Sequence, residues 1–254
     1  MDTNEYNKNF YSNIFAKEAG KYYKIQEKKI KVVLEFFSDQ KNGKILDVGC
    51  GDGFISAVIA KETWAKVYGI DISADAVAEA RKKGIDAKAA NIDKEFPFEK
   101  NSFDAVFCGD VIEHIYDTEN LLANINHSLK TNGCLVISVP NIASWYNRGF
   151  LFLGFMPTWI ESSLKTYTGN PFIKEGVGHI HAFTKRSLKE LLEMHGFSVE
   201  RVKGTPVMAD GSRKKWQEKL WNAVDSAFAR KTTFASTIIF RARKVREMHK
   251  RELA

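Results

Sequence analysis

Three glycines and a carboxylate in the first third of the chain have the spacing of a nucleotide site. Gly49, Gly51 and Gly53 follow the apolar run 44–48 and precede a helix-like segment. Glycine permits positive φ and has no Cβ, so such a turn approaches a ligand closely while the next helix presents free N–H groups. Asp71 lies twenty residues beyond Gly51, at the end of the next apolar run, where it can accept hydrogen bonds from ribose hydroxyls. Spacing alone leaves the kind of nucleotide open, because the glycines do not match the G-x-G-x-x-G register.

Further polar residues follow later strand-like runs. Asn91 and Asp93 come after residues 86–90, and Asp110 comes after residues 103–108. Open α/β sheets bind ligands at the carboxyl ends of their strands. We therefore expect these side chains to share one edge of the sheet with the glycine turn.

Three histidines are candidate general bases, because imidazole titrates near neutral pH. His114 follows Glu113, and this pair fits either a functional site or a structural hydrogen bond. His179 and His181 are two residues apart, which places them on one face of an extended segment.

Short β-branched runs alternate with helical stretches from Lys44 onward, a pattern typical of a parallel sheet with helices on both faces. The predicted strands are 44–48, 66–70, 86–90, 103–108, 134–139, 197–202 and 233–241. The predicted helices are 54–62, 73–83, 118–129, 184–196 and a basic amphipathic helix over 212–230. The fold class is therefore α/β, a doubly wound and mostly parallel seven-stranded sheet, closed by one antiparallel strand.

Two regions stand outside this alternation, and they divide the chain into a helical cap over 1–40, a domain over 41–242 and a basic tail over 243–254. Amphipathic helices are predicted over 6–38 from the spacing of Ile25, Ile30, Val33, Leu34 and Phe37. They cover the sheet edge or the mouth of the site, with a membrane-surface or gating helix as the alternative.

The second region, residues 141–178, carries eight aromatic side chains and is broken by glycine and proline. A connection this long predicts a lid or acceptor-binding insertion, the alternative being a hydrophobic subdomain that packs on the sheet.

Composition excludes several classes. Hydrophobic residues at 44% and charged residues at 27% are ordinary for a globular protein and leave no case for disorder or a fibrous class. The longest apolar run, 150–160, is too short to span a bilayer. No basic-then-apolar leader follows Met1, so we expect a cytoplasmic protein. The three cysteines lack metal-ligand spacing, so we expect them to be buried thiols. The net charge of +7 fits nucleic acid, an anionic membrane or an acidic substrate, but we interpret it as solvated surface.

Taken together, the motifs resemble class I S-adenosylmethionine-dependent methyltransferases of type 11/12, in particular the ubiquinone-biosynthesis O-methyltransferases. Leu46-Asp-Val-Gly-Cys-Gly-Asp-Gly53 resembles their first motif, Gly69-Ile-Asp-Ile-Ser73 the acidic second motif, and Phe103-Asp-Ala-Val-Phe-Cys-Gly-Asp-Val-Ile-Glu-His114 the fourth-strand motif. The similarity continues through 129–140 and covers residues 40 to 200.

This resemblance implies a Rossmann-like fold, the cofactor S-adenosyl-L-methionine and the product S-adenosyl-L-homocysteine. Asp47 would orient the glycine turn, Asp71 would hold the ribose, and Asp93 would bond the adenine amino group. The backbone near Cys108 would take the cofactor ammonium. The complete implied set of cofactor-binding residues is Asp47, Gly49, Gly51, Asp71, Ile72, Ile92, Asp93, Cys108 and Asp110.

The implied reaction is an in-line displacement at a sulfonium methyl. A hydroxyl acceptor needs a base, for which His114, His179 and His181 are the candidates, whereas an amine need only be delivered uncharged. Asp110, Glu113, His114 and a downstream histidine, His179 or His181, also resemble the set associated with a divalent metal in ubiquinone-type and small-RNA 2′-O-methyltransferases. The chain departs from the RNA enzymes in having Asp110 rather than glutamate and a single histidine after Glu113, so we expect no metal, with Asp110, Glu113 and His114 as the alternative ligands.

We therefore expect methyl transfer to a hydroxyl of a small, lipid-linked or sugar-linked acceptor. The aromatic insertion favours an apolar or ring-bearing compound. An RNA 2′-O-methyltransferase is one alternative, and a non-catalytic cofactor-binding partner of another enzyme is a second. Nucleic acid is disfavoured because the basic residues do not alternate with aromatics as in an RNA-binding module. A peripheral membrane contact and the oligomeric state stay open.

Overall fold

A computed structural model describes residues 19–163, 168–173, 176, 178–207 and 214–248, with side chains from residue 26 onward. The helical prediction for 6–18, the insertion residue Tyr167 and the tail 249–254 lie outside this description, as does the side chain of Ile25. Within the described ranges, no helix is both long and apolar enough to cross a membrane.

The fold is built on one seven-stranded sheet. Its strands are β1 (Lys44–Val48), β2 (Lys66–Asp71), β3 (Asp86–Ala89), β4 (Phe103–Gly109), β5 (Leu129–Pro140), β6 (Phe197–Thr205) and β7 (Thr237–Lys244). Their order in the sheet is β3-β2-β1-β4-β5-β7-β6. The first five strands of this order pair in parallel, and β7 runs antiparallel between β5 and β6. The predicted α/β, mostly parallel sheet is confirmed.

Seven α-helices and one 3₁₀ turn surround the sheet in the described residues. The helices are α1 (Ala19–Phe36), α2 (Phe54–Thr63), α3 (Ala74–Lys82), α4 (Thr118–Ser128), α5 (Trp145–Phe152), α6 (Lys185–Met194) and α7 (Lys215–Ala229), and the 3₁₀ turn is Ile112–His114. Side-chain caps begin three of them: Ser73 accepts from Ala76 N, Asp117 from Asn120 N, and Thr184 from Ser187 N.

The sheet has an apolar layer on each face, because successive side chains of a buried parallel strand point to opposite sides. In β1, Leu46 and Val48 join the layer under α4 and α6, whereas Ile45 joins the layer under α1, α2 and α3. Phe36 and Phe37, at the end of α1, are fully buried in this second layer. The predicted N-terminal helix is therefore part of the core where it meets the sheet.

The last strand was predicted wrongly at both ends. Residues 233–236 form a turn in which Phe234 packs on Phe228, and β7 begins only at Thr237. The strand continues through Lys244, whose ammonium donates to Leu129 O at 2.7 Å and pairs with Glu247 at 2.9 Å. Alternating apolar residues predicted the strand, but Lys244 at its end was assigned to the basic tail over 243–254.

Candidate active site

The glycine turn after β1 adopts the conformation that its sequence requires. Gly49, Gly51 and Gly53 have φ of 73°, 50° and 74°. A Cβ on Gly49 would lie 2.3 Å from Cγ2 of Val111, and one on Gly53 would lie 2.8 Å from the backbone of Ala80. The turn is thus held against the segment that follows β4, so the two predicted motifs meet in space.

Asp71, at the end of β2, is tied to this turn. Its Oδ2 accepts from Gly51 N at 2.8 Å, and its Oδ1 accepts from Ser73 N at 2.9 Å. Burial raises the pKa of this carboxyl, while the two backbone donors favour its ionised form. Each carboxylate oxygen has a second lone-pair direction, so the side chain keeps acceptor capacity for a ligand hydroxyl.

Asp47 lies beneath the turn and is fully enclosed. Its Oδ2 accepts from the hydroxyl of Ser56 at 2.5 Å, which joins β1 to the first turns of α2. Burial raises the pKa of Asp47 to about 7, and the Ser56 hydrogen bond opposes that rise. This placement suits a residue that fixes the strand–turn–helix unit from below.

The adenine-side candidates follow two neighbouring strands: Ile72 comes directly after β2, and Ile92 and Asp93 lie in the loop after β3. Ile92 is buried, whereas Ile72 and Asp93 are half-buried. Asp93 Oδ1 accepts from Tyr116 N at 3.1 Å, which ties this loop to the segment after the 3₁₀ turn. All three side chains therefore lie at the carboxyl edge of the sheet.

Asp110 follows β4 and binds a lysine that sequence reasoning missed. Its Oδ2 accepts from the ammonium of Lys29 in α1, and its Oδ1 accepts from the Ser138 hydroxyl at 2.9 Å. Burial alone would raise the pKa of Asp110, but Lys29 outweighs it and holds that pKa below its ordinary value. Asp110 has a positive φ of 55° directly after the end of β4. Cys108, two residues earlier, is completely buried.

Glu113, His114 and His179 form a buried cluster beside Asp110. One ligand atom from each of the three lies within 4.8 Å of the others, and the two imidazole centroids are 4.5 Å apart. His179 Nε2 is 3.9 Å from Glu113 Oε1. Neither carboxylate oxygen of Glu113 has a hydrogen-bond partner among the residues that the structure describes. A carboxyl in this position is unfavourable unless it is protonated or receives a ligand.

Burial sets the protonation of the cluster. It raises the pKa of Glu113 well above its ordinary value, and the charge of Asp110 adds to the rise. Burial also lowers the pKa of His114, and it lowers that of His179 to about 3, with His114 contributing second. Both imidazoles are therefore neutral at pH 7.

Hydrogen bonds then select the tautomer of each ring. His114 Nδ1 donates to Gly178 O at 3.1 Å, and His179 Nδ1 donates to Trp159 O at 3.2 Å. Each Nε2 consequently carries a lone pair, the form that accepts a proton or binds a metal.

The aromatic insertion reaches this cluster through Trp159, whose ring centroid is 5.8 Å from that of His179. The Trp159 indole N–H donates to the Tyr146 hydroxyl at 2.9 Å, and Tyr146 is almost completely buried in α5. Residues 178–181 are fixed in turn by Glu113 O, which accepts from Ile180 N and His181 N. The insertion thus forms a wall of the buried cluster.

His181 lies apart from the other two histidines. Its Nε2 is 3.3 Å from Tyr116 O, and its ring faces Phe183. The predicted pair of histidines on one face is therefore divided, with only His179 beside Glu113. Lys29 and Trp159 also belong to the site, although the sequence did not predict them as site residues. The only sequence signals were the helical spacing around Lys29 and the many aromatic residues around Trp159.

A glycine turn at β1, a carboxylate at the end of β2 and a buried cluster after β4, on a seven-stranded sheet with one antiparallel strand, define a class I S-adenosylmethionine-dependent methyltransferase. The comparisons agree: the family described as Methyltransferase domain matches residues 22–202, and the chain belongs to that family. Its cofactor is S-adenosyl-L-methionine.

Several characterised proteins are similar in sequence. A demethylmenaquinone methyltransferase of Listeria welshimeri is 28% identical over 193 residues, covering 70% of this chain and 80% of that protein. A ubiquinone biosynthesis O-methyltransferase of Rickettsia canadensis is 24% identical over 193 residues, covering 74% and 75%. Phosphoethanolamine N-methyltransferase 2 of Caenorhabditis elegans is 34% identical over 125 residues, which span 46% of this chain and only 27% of that protein.

The fold is also shared with a solved structure, Haemonchus contortus phosphoethanolamine N-methyltransferase 2 in complex with S-adenosyl-L-methionine. The TM-score is 0.59 at 19% identity, over 86% of this chain and 53% of that one.

Proposed function

We propose that this methyltransferase transfers the methyl group to a hydroxyl of a small, lipid-linked or sugar-linked acceptor. The observation that carries the proposal is the buried cluster of Glu113, His114 and His179 beside the glycine turn. A hydroxyl is a weak nucleophile until it loses its proton, and a neutral imidazole such as that of His179, whose Nε2 carries a lone pair, provides a base. Similarity to a ubiquinone biosynthesis O-methyltransferase and a demethylmenaquinone methyltransferase favours a ring-bearing, lipid-linked compound.

The proposed cofactor contacts follow the same geometry. Gly49 and Gly51 would let the backbone approach the methionine part, and Asp71 would accept from the ribose hydroxyls while it holds the turn. Asp93 would serve the adenine amino group. Lys29, which forms an ion pair with Asp110, would lie at the methionine end. Its ammonium would there complement the carboxylate of the cofactor.

Within the cluster, His179 is the proposed base. Its Nδ1 is held by Trp159 O, so the ring presents Nε2 in a fixed direction. The low pKa of about 3 makes it a weak base in the resting site. Loss of the proton that burial keeps on Glu113 would place a negative charge beside His179 Nε2 and raise the proton affinity of the ring. Trp159 and Tyr146 would exclude water and contact an apolar acceptor.

A divalent metal is a second way to activate the hydroxyl. The donor set fits: one buried carboxylate without a hydrogen-bond partner in the described chain and two neutral imidazoles converge on one point. Glu113, His114 and His179 would hold the ion, which when bound would lower the pKa of the acceptor hydroxyl. Asp110 is already bound by Lys29 and Ser138, whereas His179, one of the two downstream histidines that the sequence offered, lies beside Glu113 and His114.

Methyl transfer from labelled S-adenosylmethionine to a lipid extract, compared with total RNA and with small phenols and sugars, tests the proposal. We expect label in a lipid or small-molecule fraction. The label should remain after alkaline hydrolysis, and it should be absent when Glu113→Ala replaces the native chain. Label confined to RNA would replace the proposal with the RNA alternative, and cofactor binding without transfer to any fraction would favour the non-catalytic partner.

A further inference from the structure

The helix α7 occupies a defined place at the edge of the sheet where the site lies. It follows the end of β6 and precedes β7, and Thr237 at the start of β7 pairs with both Thr205 of β6 and Pro140 of β5. The carboxyl end of β5 is also where the aromatic insertion begins. Helix α7, the insertion and the glycine turn therefore share the carboxyl edge of the parallel strands.

The inner face of α7 is fixed to the domain by a buried carboxylate. Asp225 Oδ1 accepts from the Trp145 indole at 2.9 Å and from the Ser236 hydroxyl at 2.6 Å, and Oδ2 accepts from Val207 N at 2.8 Å. Lys28 of α1 adds a hydrogen bond to Ser226 at 2.7 Å. These contacts set the rotation of the helix about its axis.

The opposite face of α7 is apolar and exposed. At 3.6 residues per turn, Trp216, Leu220, Ala223 and Ala227 fall within about 60° around the helix axis. Trp216 is 63% exposed and Leu220 is 58% exposed, and the two alanines are exposed with them. These four residues form the outer stripe of α7, which the fold itself does not cover in the described structure.

Basic residues border the outer stripe on one side. Lys215, Lys219 and Arg230 are exposed, and none has an ion pair or side-chain hydrogen bond in the portion of the chain that the structure describes. The acidic residues of the helix lie elsewhere: Asp225 is buried and Glu218 is half-buried on the inner side. The outer surface of α7 thus combines apolar side chains with uncompensated positive charge.

We propose that the outer stripe of α7 and its basic border bind the surface of an anionic lipid bilayer. A tryptophan and a leucine next to lysines suit the interfacial region of a bilayer. The apolar side chains would insert at the boundary between headgroups and acyl chains, and the lysine side chains would extend to the anionic headgroups. RNA would leave Leu220 and the alanines without a partner, and a second copy of the chain would bring like charges together. The inference does not depend on which acceptor is methylated.

Docking through α7 would turn the carboxyl edge of the sheet, with its insertion, toward the bilayer. Vesicle sedimentation tests this with the full chain, using phosphatidylcholine vesicles and equimolar phosphatidylcholine and phosphatidylglycerol vesicles. We expect binding only to the anionic vesicles, and binding that weakens as salt is added.

Two variants separate the contributions. Lys215→Gln with Lys219→Gln should weaken binding by about fivefold for each charge removed, and Trp216→Ser with Leu220→Ser should weaken it by about tenfold or more. Lys61→Gln with Trp64→Asn is the matched control, because it removes an exposed lysine and a 78% exposed tryptophan at the end of α2. Each variant is checked for unchanged melting temperature and cofactor affinity.

Equal vesicle binding by the α7 variants and the control would overturn the proposal, as would a native chain that ignores anionic vesicles. If the α7 variants instead lose self-association or RNA binding while vesicle binding is absent, the surface serves that other partner and the lipid assignment is wrong.

Discussion

The Nε2 atom of His179 lies 3.9 Å from Oε1 of Glu113, although the two residues belong to segments on either side of β5 and the insertion. They meet because Glu113 O accepts from the N–H groups of Ile180 and His181, which fixes the segment that carries His179. The chemistry of the site therefore depends on the insertion as much as on the cofactor motifs.

Replacing His179 by alanine should lower turnover by about 100-fold while cofactor affinity changes little, because a base contributes mainly in the transition state. Turnover by labelled transfer and affinity by calorimetry provide the two measurements. His181→Ala is the matched control, since that ring is directed at Tyr116 O and lies outside the cluster. If His181→Ala loses as much turnover as His179→Ala, the assignment of the base to His179 is wrong.

Mn²⁺ should bind the native chain and raise its melting temperature, because the ion would interact with the two oxygens of Glu113, which have no hydrogen-bond partner in the described residues. Glu113→Gln should abolish this binding in calorimetry, which does not depend on activity. Binding should also release a proton, since burial keeps the pKa of Glu113 high, and the heat should vary with the ionisation enthalpy of the buffer. Absence of Mn²⁺ binding would leave the imidazole base as the sole activation in the proposal.

Gly49→Ala should destabilise the fold by about 2–3 kcal/mol, from positive φ and from overpacking against Val111. The added Cβ would lie 2.3 Å from Val111 Cγ2. Because the clash involves one methyl group, the double variant with Val111→Ala should recover part of the loss relative to the sum of the two single variants. Chemical denaturation measures all four proteins, and strictly additive effects would contradict the clash.

Local sequence rules predicted most of the sheet because each signal was contiguous. The strand at Lys44–Val48, the glycine turn and the end of β2 at Asp71 could be read from neighbouring residues. The pairing of Lys29 with Asp110 and the contact of Trp159 with His179 could not, because they join segments distant in sequence. Periodicity shows that Lys29 lies on a helix, but only the docking of Phe36 and Phe37 on the sheet fixes where its ammonium points.

Asp71→Asn should weaken S-adenosylmethionine binding by about 30-fold or more, because charge-assisted hydrogen bonds to both ribose hydroxyls would become weaker neutral ones. The amide also replaces one acceptor by a donor opposite Gly51 N or Ser73 N, which now bond the carboxylate. Asp93→Asn, with a single proposed adenine contact, should lose less. Calorimetry on both variants checks the order, and an equal or reversed order would contradict the assigned roles.

Asp47→Asn should stabilise the ligand-free protein above neutral pH and have little effect in acid. Burial raises the folded pKa of Asp47 from 3.8 to about 7, so the native state holds a proton that the unfolded chain releases. Stability therefore falls as pH rises from about 4 to about 7, by an amount on the order of 4 kcal/mol, and asparagine removes that fall. The amide oxygen can still accept from Ser56, so packing is preserved.

The matched control is Asp104→Asn, whose effect on pH dependence should have the opposite sign. Burial opposes ionisation of Asp104, but Lys130 and the N–H of Lys44 outweigh it and hold the pKa below its ordinary value. The stability that Asp104 contributes is present above the unfolded pKa and is lost as pH falls through the folded one. Melting temperatures are measured from about pH 2 to pH 8. Asp104→Asn should melt below the native chain above about pH 4 and approach it in acid, whereas Asp47→Asn should match the native chain in acid and melt above it near pH 7. Parallel curves for Asp47→Asn and the native chain would show that Asp47 is ionised throughout.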